Sequence, residues 1–582
     1  MNSPISPTYL SRRQFLRAAS IVGAGTLLAA CQQPAAAPAK PAEAPKPATG
    51  SKPAAPAAAT SAPAAAKPAE AAKPAAEAKP AAASAAPQAA ASSAGNPGGT
   101  LNYAEAGDFN NFNPWSVTAV NAGMYNTAYS RLTWKDGQGK ENADLAESWQ
   151  MAPDGLSFTA KLRAGLKWQD GKDMTAQDFV TMFGYTKDET LLKDAAIKKH
   201  QGLVSPIKDV TAPDASTVQF AFGSPVPYIT DILDYWYAIR IDDPADPSFT
   251  KKVPVASGAY KIAEWAPNQY ARFTKSPEYY AKGQPLLDEI VYKRLEKAET
   301  LIPNLQSGGV QGIQVTSMSD VAPLREDTSL TVEVNESAGS IFNIIVNVTK
   351  PPFDKKEVRQ ALSYSLNRVE MAKSAFFGVS RPITSPFYDP ASLSYREDLV
   401  MAHAFDLDKA GKLLDAAGAK GVQITTNVTP RWPQMKLFML LWQADLAKIG
   451  VKLTVNEVEN AKFYDIAAAK DLQDNDLHPW LNARTTRDPA IFWSTQPNYR
   501  GGERNVYGFV NAELEKLIAD GAVELDPAKR KATYQKLNEI AVDESHMIQV
   551  ATDPRVWAFA KGVSGVRYDL SGNIMLTAAG LS

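Results

Sequence analysis

Alternating apolar and polar positions predict a β-hairpin followed by a helix between Leu145 and Tyr185. The Pro-Asp-Gly sequence at 153–155 supplies the turn, because proline presets φ and glycine accepts positive φ. Thr175, with Asp178 three residues later, forms a capping-box pattern that begins a helix. The inward residues of the second strand are predicted to be Leu156, Phe158, Ala160 and Leu162.

A longer pattern predicts a βαβ unit farther along the chain. The runs Val422–Val428 and Val451–Val455 have strand composition, and the segment Pro433–Ile449 between them has helical spacing. Such a connection favours a parallel strand pair with a right-handed crossover. Ligands of open α/β sheets bind beyond the carboxyl ends of strands, which makes segment 429–432 a candidate. The inward helix residues are predicted to be Leu437, Leu440, Leu441 and Ala444.

Two stretches resemble the family 5 extracellular solute-binding proteins, the peptide- and nickel-binding proteins of ABC importers. The first is Leu145–Tyr185, whose LAESW, DG, LRAGLKW, DG and TAQD groups keep the family's offsets. The second is Asn343–Phe377, where PPFDKKEVRQALSYSLNR resembles the family's PPFDDxRVRxALxYAIDR. Asp354 is expected to cap one continuous helix here. Its apolar face would comprise Val358, Leu362, Leu366, Val369, Ala372 and Phe376.

The resemblance implies an α/β, periplasmic-binding-protein-like fold (type II, cluster C). It has two lobes, an extra subdomain, and mixed sheets flanked by helices. Gly258 is predicted to lie where the chain crosses between lobes. The implied divisions are 98–143, 256–342 and 546–582 for the first lobe, 144–255 for its subdomain, and 343–545 for the second lobe.

The first 97 residues have the pattern of an export signal and a linker. Arg12 and Arg13 precede a short apolar run, which resembles a twin-arginine signal over residues 1–30. The small residues before Cys31 resemble a lipobox, so Cys31 is the predicted lipidation site. Residues 31–97 are rich in Ala, Pro and Lys and are predicted to be a disordered linker. We therefore expect an extracytoplasmic protein that is anchored to the membrane by lipid.

The stretch 479–493 is the most informative about the ligand. It resembles the family's GWxADYxDP sequence, whose aspartate in peptide binders pairs with the ligand's α-amino group. Thr485 occupies that position here, between Arg484 and Arg487, which favours a carboxylate, phosphate or sugar hydroxyl as an alternative. The predicted ligand-binding residues are Asn113, Trp115, Trp432, Trp480, Asn482, Arg484, Thr485, Arg487 and Asp488.

Composition excludes several classes of function. A formal net charge of -1 leaves no excess of basic residues for a nucleic-acid partner. One cysteine and four dispersed histidines give no metal-ligand spacing, and we expect no metal and no cofactor. No nucleophile or metalloprotease motif is present, so we predict that the chain is not an enzyme. A secreted hydrolase stays as the alternative from another class.

We therefore predict a monomeric solute-binding lipoprotein of an ABC importer. Two lobes would close on an oligopeptide or similar polar solute and present it to the permease subunits in the membrane. An oligosaccharide or an anionic solute is the alternative ligand within the same family.

Overall fold

The structure is a computed structural model. It describes residues 96–582, except 108, 110, 117–120, 243–253, 337–338, 469–474, 483–486, 496–504 and 506. The predicted export signal with Arg12 and Arg13, the predicted lipidation site at Cys31, and the linker to residue 95 lie outside the described residues. No helix within the described ranges combines the length and apolar character that a membrane span requires.

The strands are short and form several sheets. They are β1 Thr100–Glu105, β2 Thr133–Lys135, β3 Glu141–Ala143, β4 Ala146–Met151, β5 Ser157–Leu162, β6 Ile207–Asp214, β7 Thr217–Phe222, β8 Tyr260–Ala266, β9 Tyr270–Lys275, β10 Glu289–Arg294, β11 Gly312–Val315, β12 Leu330–Asn335, β13 Ile341–Val346, β14 Gln423–Val428, β15 Lys452–Glu457, β16 Leu477–Asn482, β17 Met547–Thr552, β18 Arg555–Ala560, β19 Val563–Ser564, β20 Arg567–Tyr568, β21 Ile574–Met575 and β22 Gly580–Leu581.

Helices flank these sheets. The α-helices are α1 Ala122–Ala128, α2 Ala176–Tyr185, α3 Ala195–Val204, α4 Ile229–Leu233, α5 Leu301–Gln306, α6 Val321–Glu326, α7 Lys356–Tyr364, α8 Arg368–Ser374, α9 Glu397–Val400, α10 Leu407–Ala416, α11 Pro433–Lys448, α12 Asn460–Ala468, α13 Pro489–Thr495, α14 Ala512–Val523 and α15 Pro527–Glu544. Single turns of 3₁₀ helix lie at Pro114–Ser116, Leu191–Lys193, Ala298–Thr300 and Met318–Asp320.

The first lobe is built on a seven-stranded mixed sheet in the order β12-β18-β11-β1-β10-β9-β8. β1 runs parallel to β10 and β11, whereas β8, β9 and β18 pair antiparallel with their neighbours. A separate four-stranded sheet, β4-β5-β7-β6, lies within the segment predicted as the subdomain. Its β4–β5 hairpin and the burial of Phe158, Ala160 and Leu162 follow the predicted alternation. The prediction is wrong for Leu156, which lies before the first residue of β5 and is 41% exposed.

The predicted capping box is present at the start of α2. The Thr175 backbone N donates to Asp178 Oδ2 at 2.7 Å, and the reciprocal bond to the Thr175 side chain is also formed. Local chemistry therefore fixes this helix start, because each side chain satisfies a backbone N–H that the helix leaves unpaired.

The second lobe contains a five-stranded sheet in the order β15-β14-β16-β13-β17. β14, α11 and β15 form the predicted βαβ unit, and β14 and β15 are parallel over six residue pairs from Gln423–Lys452 to Val428–Glu457. β17 pairs with β13 in this sheet. We predicted that the chain returns to the first lobe at residue 546, before Met547. This prediction is wrong, because β17 belongs to the second-lobe sheet and the chain returns to the first-lobe sheet only with β18.

Two helices of the second lobe differ from their predictions. α11 buries Met435, Phe438, Met439, Trp442 and Leu446, while the predicted inward residues Leu437 and Leu440 are 41% and 42% exposed. The apolar residues of α11 cover most of its circumference, so its sequence pattern does not select a face.

The predicted continuous helix after Asp354 is two helices. α7 begins at Lys356 without a side-chain cap, and α8 begins at Arg368, capped by Asn367 Oδ1. The break leaves Val369 63% exposed, so this residue does not belong to the apolar face.

Gly258 is required for a reason other than the predicted lobe crossing. Its φ is not positive, and a Cβ at this position would lie 2.5 Å from the backbone C and O of Ala128. The glycine permits a close backbone approach inside the first lobe, where its N–H donates to Ala128 O at 2.7 Å. The chain instead crosses between lobes from β12 to β13 and from β17 to β18.

The two lobes share part of their apolar core. One cluster of buried residues includes Ile313 and Leu330 of the first-lobe sheet together with Phe342 and Trp442 of the second lobe. β17 and β18, between which the chain crosses from one lobe to the other, both contribute to this cluster through Ile548 and Ala558. The lobe junction is therefore stabilised by burial as well as by covalent connection.

Candidate functional site

The candidate site lies where the strands of the second-lobe sheet end. β14 and β16 are parallel, so their carboxyl ends at Val428 and Asn482 lie on the same edge. Ile341, the first residue of the crossing strand β13, pairs with Asn482 at that edge. Strand ends at such an edge are the usual position for ligands of open α/β sheets.

Aromatic side chains collect at this edge in a group that we call the aromatic cluster, consisting of Trp432, Phe463, Tyr464 and Trp480. The ring of Trp480 is stacked on Phe463 at 5.9 Å and lies edge-on to Trp432 at 6.4 Å and to Tyr464 at 5.6 Å. Phe463 is fully buried, whereas Tyr464 is 36% exposed and the two tryptophans are half-buried.

The cluster brings together two residues that the sequence singled out and two that it missed. Trp432 follows β14 and Trp480 lies in β16, so the strand order places them side by side. Phe463 and Tyr464 were missed because they lie on α12, whose position against the sheet edge is a tertiary feature. The half-buried rings provide a flat, apolar surface for amide planes or sugar rings.

Trp115 is a core residue, and its predicted ligand contact is wrong. Its side chain is 0% exposed, stacks on His200 at 4.3 Å, and donates its indole N–H to Tyr237 O at 3.2 Å. A buried indole whose N–H is satisfied belongs to the packing of the first lobe. Asn113 is also buried, and its Oδ1 accepts from the Trp115 backbone N at 3.1 Å.

Arg487 connects the two lobes, which differs from the predicted contact with ligand. Its guanidinium is 2% exposed and forms an ion pair with Asp234 of the first lobe. Nη2 donates to Ser571 Oγ at 2.7 Å, and the guanidinium carbon lies 4.2 Å from the centre of the Tyr235 ring. Burial acts to lower the pKa of Arg487, but the Asp234 carboxylate outweighs it, and the pKa is raised.

Asp488 also bonds to protein groups. Its two carboxylate oxygens accept from Arg530 at 2.6 and 2.7 Å, and its backbone N donates to Asp231 Oδ1 at 3.2 Å. The bidentate pair fixes the start of α13, where Asp488 Oδ1 also accepts from Ala490 N. The structure therefore gives Asp488 a positioning contact with Asp231 of the first lobe.

Asp234 is the centre of this charge network. Arg131 Nη1 lies 3.1 Å from Asp234 Oδ1, and the Lys135 backbone N donates to the same oxygen at 3.1 Å. Asp231 forms an ion pair with the Lys135 side chain. Burial acts to raise the pKa of Asp234, but Arg487 and Arg131 outweigh it, so the pKa is lowered and the carboxylate stays ionised at neutral pH.

The remaining predicted site residues are placed as follows. Asn482 is 3% exposed at the end of β16, opposite Ile341. Arg484 and Thr485 lie outside the described residues, and their ligand contacts stay predictions.

Buried histidines belong to the packing. Burial lowers the pKa of His200 and of His478 to about 3, and it lowers that of His403 to about 4, so all three are neutral at pH 7. Across the described part of the chain, no group of three His, Cys, Asp or Glu side chains is arranged to hold a metal ion.

Comparison with known proteins decides the family. The model of the bacterial extracellular solute-binding proteins, family 5 (middle), matches residues 141–505. The chain belongs to this family. The glutathione-binding protein GsiB of Escherichia coli O1:K1 is 25% identical over 472 residues, which is 79% of this chain and 90% of GsiB.

Solved structures of the family share the fold. The binding protein AgaA of A. tumefaciens R10 in complex with agropinic acid has a TM-score of 0.68 at 24% identity, over 83% of this chain and 99% of AgaA. DppA of Helicobacter pylori in complex with the peptide STSA has a TM-score of 0.69 at 23% identity, over 84% and 98%. The predicted α/β periplasmic-binding-protein-like fold is confirmed, and the chain is an extracytoplasmic solute-binding protein.

Proposed function

We propose that this solute-binding protein captures a short peptide or a closely similar amide-rich solute between its lobes. The observation that carries the proposal is the aromatic cluster at the carboxyl ends of the second-lobe strands, with three rings partly exposed. Flat indole and phenol faces stack well on peptide planes, and they tolerate different side chains on the ligand.

The charge network removes two predicted partners for a charged group of the ligand. Arg487 is paired with Asp234, and Asp488 is paired with Arg530, so neither is available for a charged ligand in this conformation. Two of the similar proteins agree with this class, since GsiB is a glutathione-binding protein and DppA was solved with a peptide, whereas AgaA was solved with agropinic acid. Recognition would then depend on stacking and on backbone hydrogen bonds more than on one ligand charge.

The test is a fluorescence titration of the purified chain with di- to pentapeptides, glutathione, oligosaccharides and carboxylates. We expect saturable binding of peptides, weakened about tenfold or more in Trp480→Ala, because a buried aromatic contact contributes about 1.5 kcal/mol or more. Trp149→Ala is the matched control, since Trp149 is a half-buried tryptophan in the subdomain sheet. Its affinity for peptides should equal that of the unmodified protein.

Other outcomes would reject the peptide assignment. Binding of oligosaccharides alone would assign the aromatic cluster to sugar rings. If Trp480→Ala and Trp149→Ala lost the same peptide affinity, the aromatic cluster would not be part of the binding site. Release of a cleavage product from any bound peptide would favour the alternative of a secreted hydrolase.

We further propose that the protein works as a monomer, is anchored to the membrane by lipid at Cys31, and delivers its solute to the permease of an ABC importer. The linker of residues 31–97 would let the folded part reach the permease. Family membership and the signal pattern around Arg12 and Arg13 support this arrangement.

A further inference from the structure

A cavity of about 760 Å³ lies in the first lobe, and its described lining includes none of the predicted ligand-binding residues. Its walls come from residues 126–147, from Arg163, and from the segments 258–284 and 567–577. Among the residues that the structure describes, all those that line it belong to the first lobe and its subdomain. Its volume falls in the range of about 300–1,000 Å³ that is usual for small-molecule sites.

The cavity has an excess of positive charge. Arg163, Lys282 and Arg567 line it, and none of the three has a carboxylate within ion-pair distance among the described residues. Arg163 uses only its Nε, which donates to the backbone O of Asp144 at 2.6 Å. Cationic side chains that share a cavity without carboxylate partners attract an anion.

The two carboxylates that line the cavity form no ion pair with these cations within the described residues. Asp144 accepts from the Arg131 backbone N at 2.7 Å and from the Tyr280 hydroxyl at 2.8 Å. Glu147 is exposed. Arg131 also lines the cavity, and its buried Nε has no hydrogen-bond partner within the described ranges. A buried donor of this kind is uncommon in native proteins unless a ligand or water satisfies it.

The cavity also offers a fixed aromatic wall. The rings of Tyr279 and Tyr280 lie 4.7 Å apart, and the guanidinium of Arg163 lies 5.0 Å from the centre of the Tyr280 ring. The bond from its hydroxyl to Asp144 holds Tyr280 in place. A planar apolar group would pack on these rings while its charged end meets Lys282 and Arg567.

We propose that this cavity is a second binding site, separate from the lobe interface, for a small organic anion with a planar apolar part, such as an aromatic carboxylate. The site would act within the first lobe and its subdomain. It requires no particular ligand at the aromatic cluster, so it can be tested independently of the peptide proposal.

The test is isothermal titration of the full chain with benzoate, with benzyl alcohol as the uncharged analogue. The cavity variant combines Lys282→Gln and Arg567→Gln. The matched control combines Lys208→Gln and Arg325→Gln, which removes the same charge from an exposed lysine and arginine outside the cavity. We expect benzoate to bind the unmodified chain, about tenfold more weakly to the cavity variant, and unchanged to the control.

Three results would overturn the proposal. Benzoate that does not bind at millimolar concentration would show that no such site exists. Equal weakening of benzoate binding in the two double variants would show that the net charge of the protein, and not the cavity, causes the effect. If benzyl alcohol bound as tightly as benzoate, the negative charge of the ligand would not contribute to binding. Circular dichroism and a thermal unfolding curve of the cavity variant report its folding, and benzoate binding that is unchanged in Trp480→Ala supports the first-lobe location.

Discussion

The ion pair between Arg487 and Asp234 should control how firmly the two lobes stay together. Removing one partner of a buried pair costs about 3–5 kcal/mol, because the other charge stays buried without compensation. In Arg487→Gln, Asp234 keeps Arg131 at 3.1 Å and the Lys135 N–H, so we expect the lower value. About 3 kcal/mol corresponds to a shift of at least about a hundredfold in the open–closed equilibrium.

Arg131→Gln is the matched control for this prediction. Arg131 binds the same carboxylate, but it belongs to the same lobe as Asp234. Its loss should lower the free energy of unfolding without separating the lobes. Arg487→Gln should separate the lobes and weaken solute binding, because the closed state that binds solute becomes less populated.

The assay is a spin-label distance measurement across the lobes. Cys31 is the only native cysteine, so Cys31→Ser gives a background for labels at Lys208→Cys and Lys420→Cys. Both lysines are exposed, the first in the subdomain and the second in the second lobe. A longer distance in Arg487→Gln, with no change in Arg131→Gln, is the expected result. If both variants unfold at lower temperature and keep the same label distance, the ion pair contributes to folding only.

Three further predictions follow from single residues. Burial raises the pKa of Glu105 to about 7, so the folded state holds a proton that the unfolded chain releases near pH 4.5, and stability should fall as pH rises between these values. In denaturant titrations, Glu105→Gln should abolish this pH dependence. Its free energy of unfolding at pH 8 should therefore exceed that of the unmodified protein by about 3 kcal/mol. Gly258→Ala should lower the free energy of unfolding by about 1–3 kcal/mol or more through contact with the Ala128 backbone, whereas Gly184→Ala, which has open space in α2, should not lower it. Cys31→Ser should move the exported protein from the membrane fraction to the soluble fraction, and retention in the membrane would argue against lipidation at this residue.

Several elements follow from local sequence because the interactions that make them are local. The capping box of Thr175 and Asp178 joins residues three apart, and Asp526 accepts from the second and third residues after it at the start of α15. The β14–α11–β15 unit follows from a strand and helix pattern with few topological alternatives.

The candidate site was predicted only in part. The sequence placed Trp432 after a predicted strand and selected Trp480 through the family resemblance, and the parallel pairing of β14 and β16 brings them together. The misplacement of Trp115 has a different cause, since an aromatic residue in a loop gives the same sequence pattern whether it faces a cleft or packs on His200.

The sequence by itself determined the family, the turn at 153–155, the helix caps at Thr175 and Asp526, and the β14–α11–β15 unit. The turn and the caps depend only on neighbours within a few residues. Tertiary structure alone decided which face of α11 is buried and which residue Arg487 pairs with, since Asp234 lies 253 positions away in the chain. The physical reason is that burial and charge pairing depend on distances in space. The sequence pattern of an isolated arginine, or of a helix with apolar residues around most of its circumference, does not specify those distances.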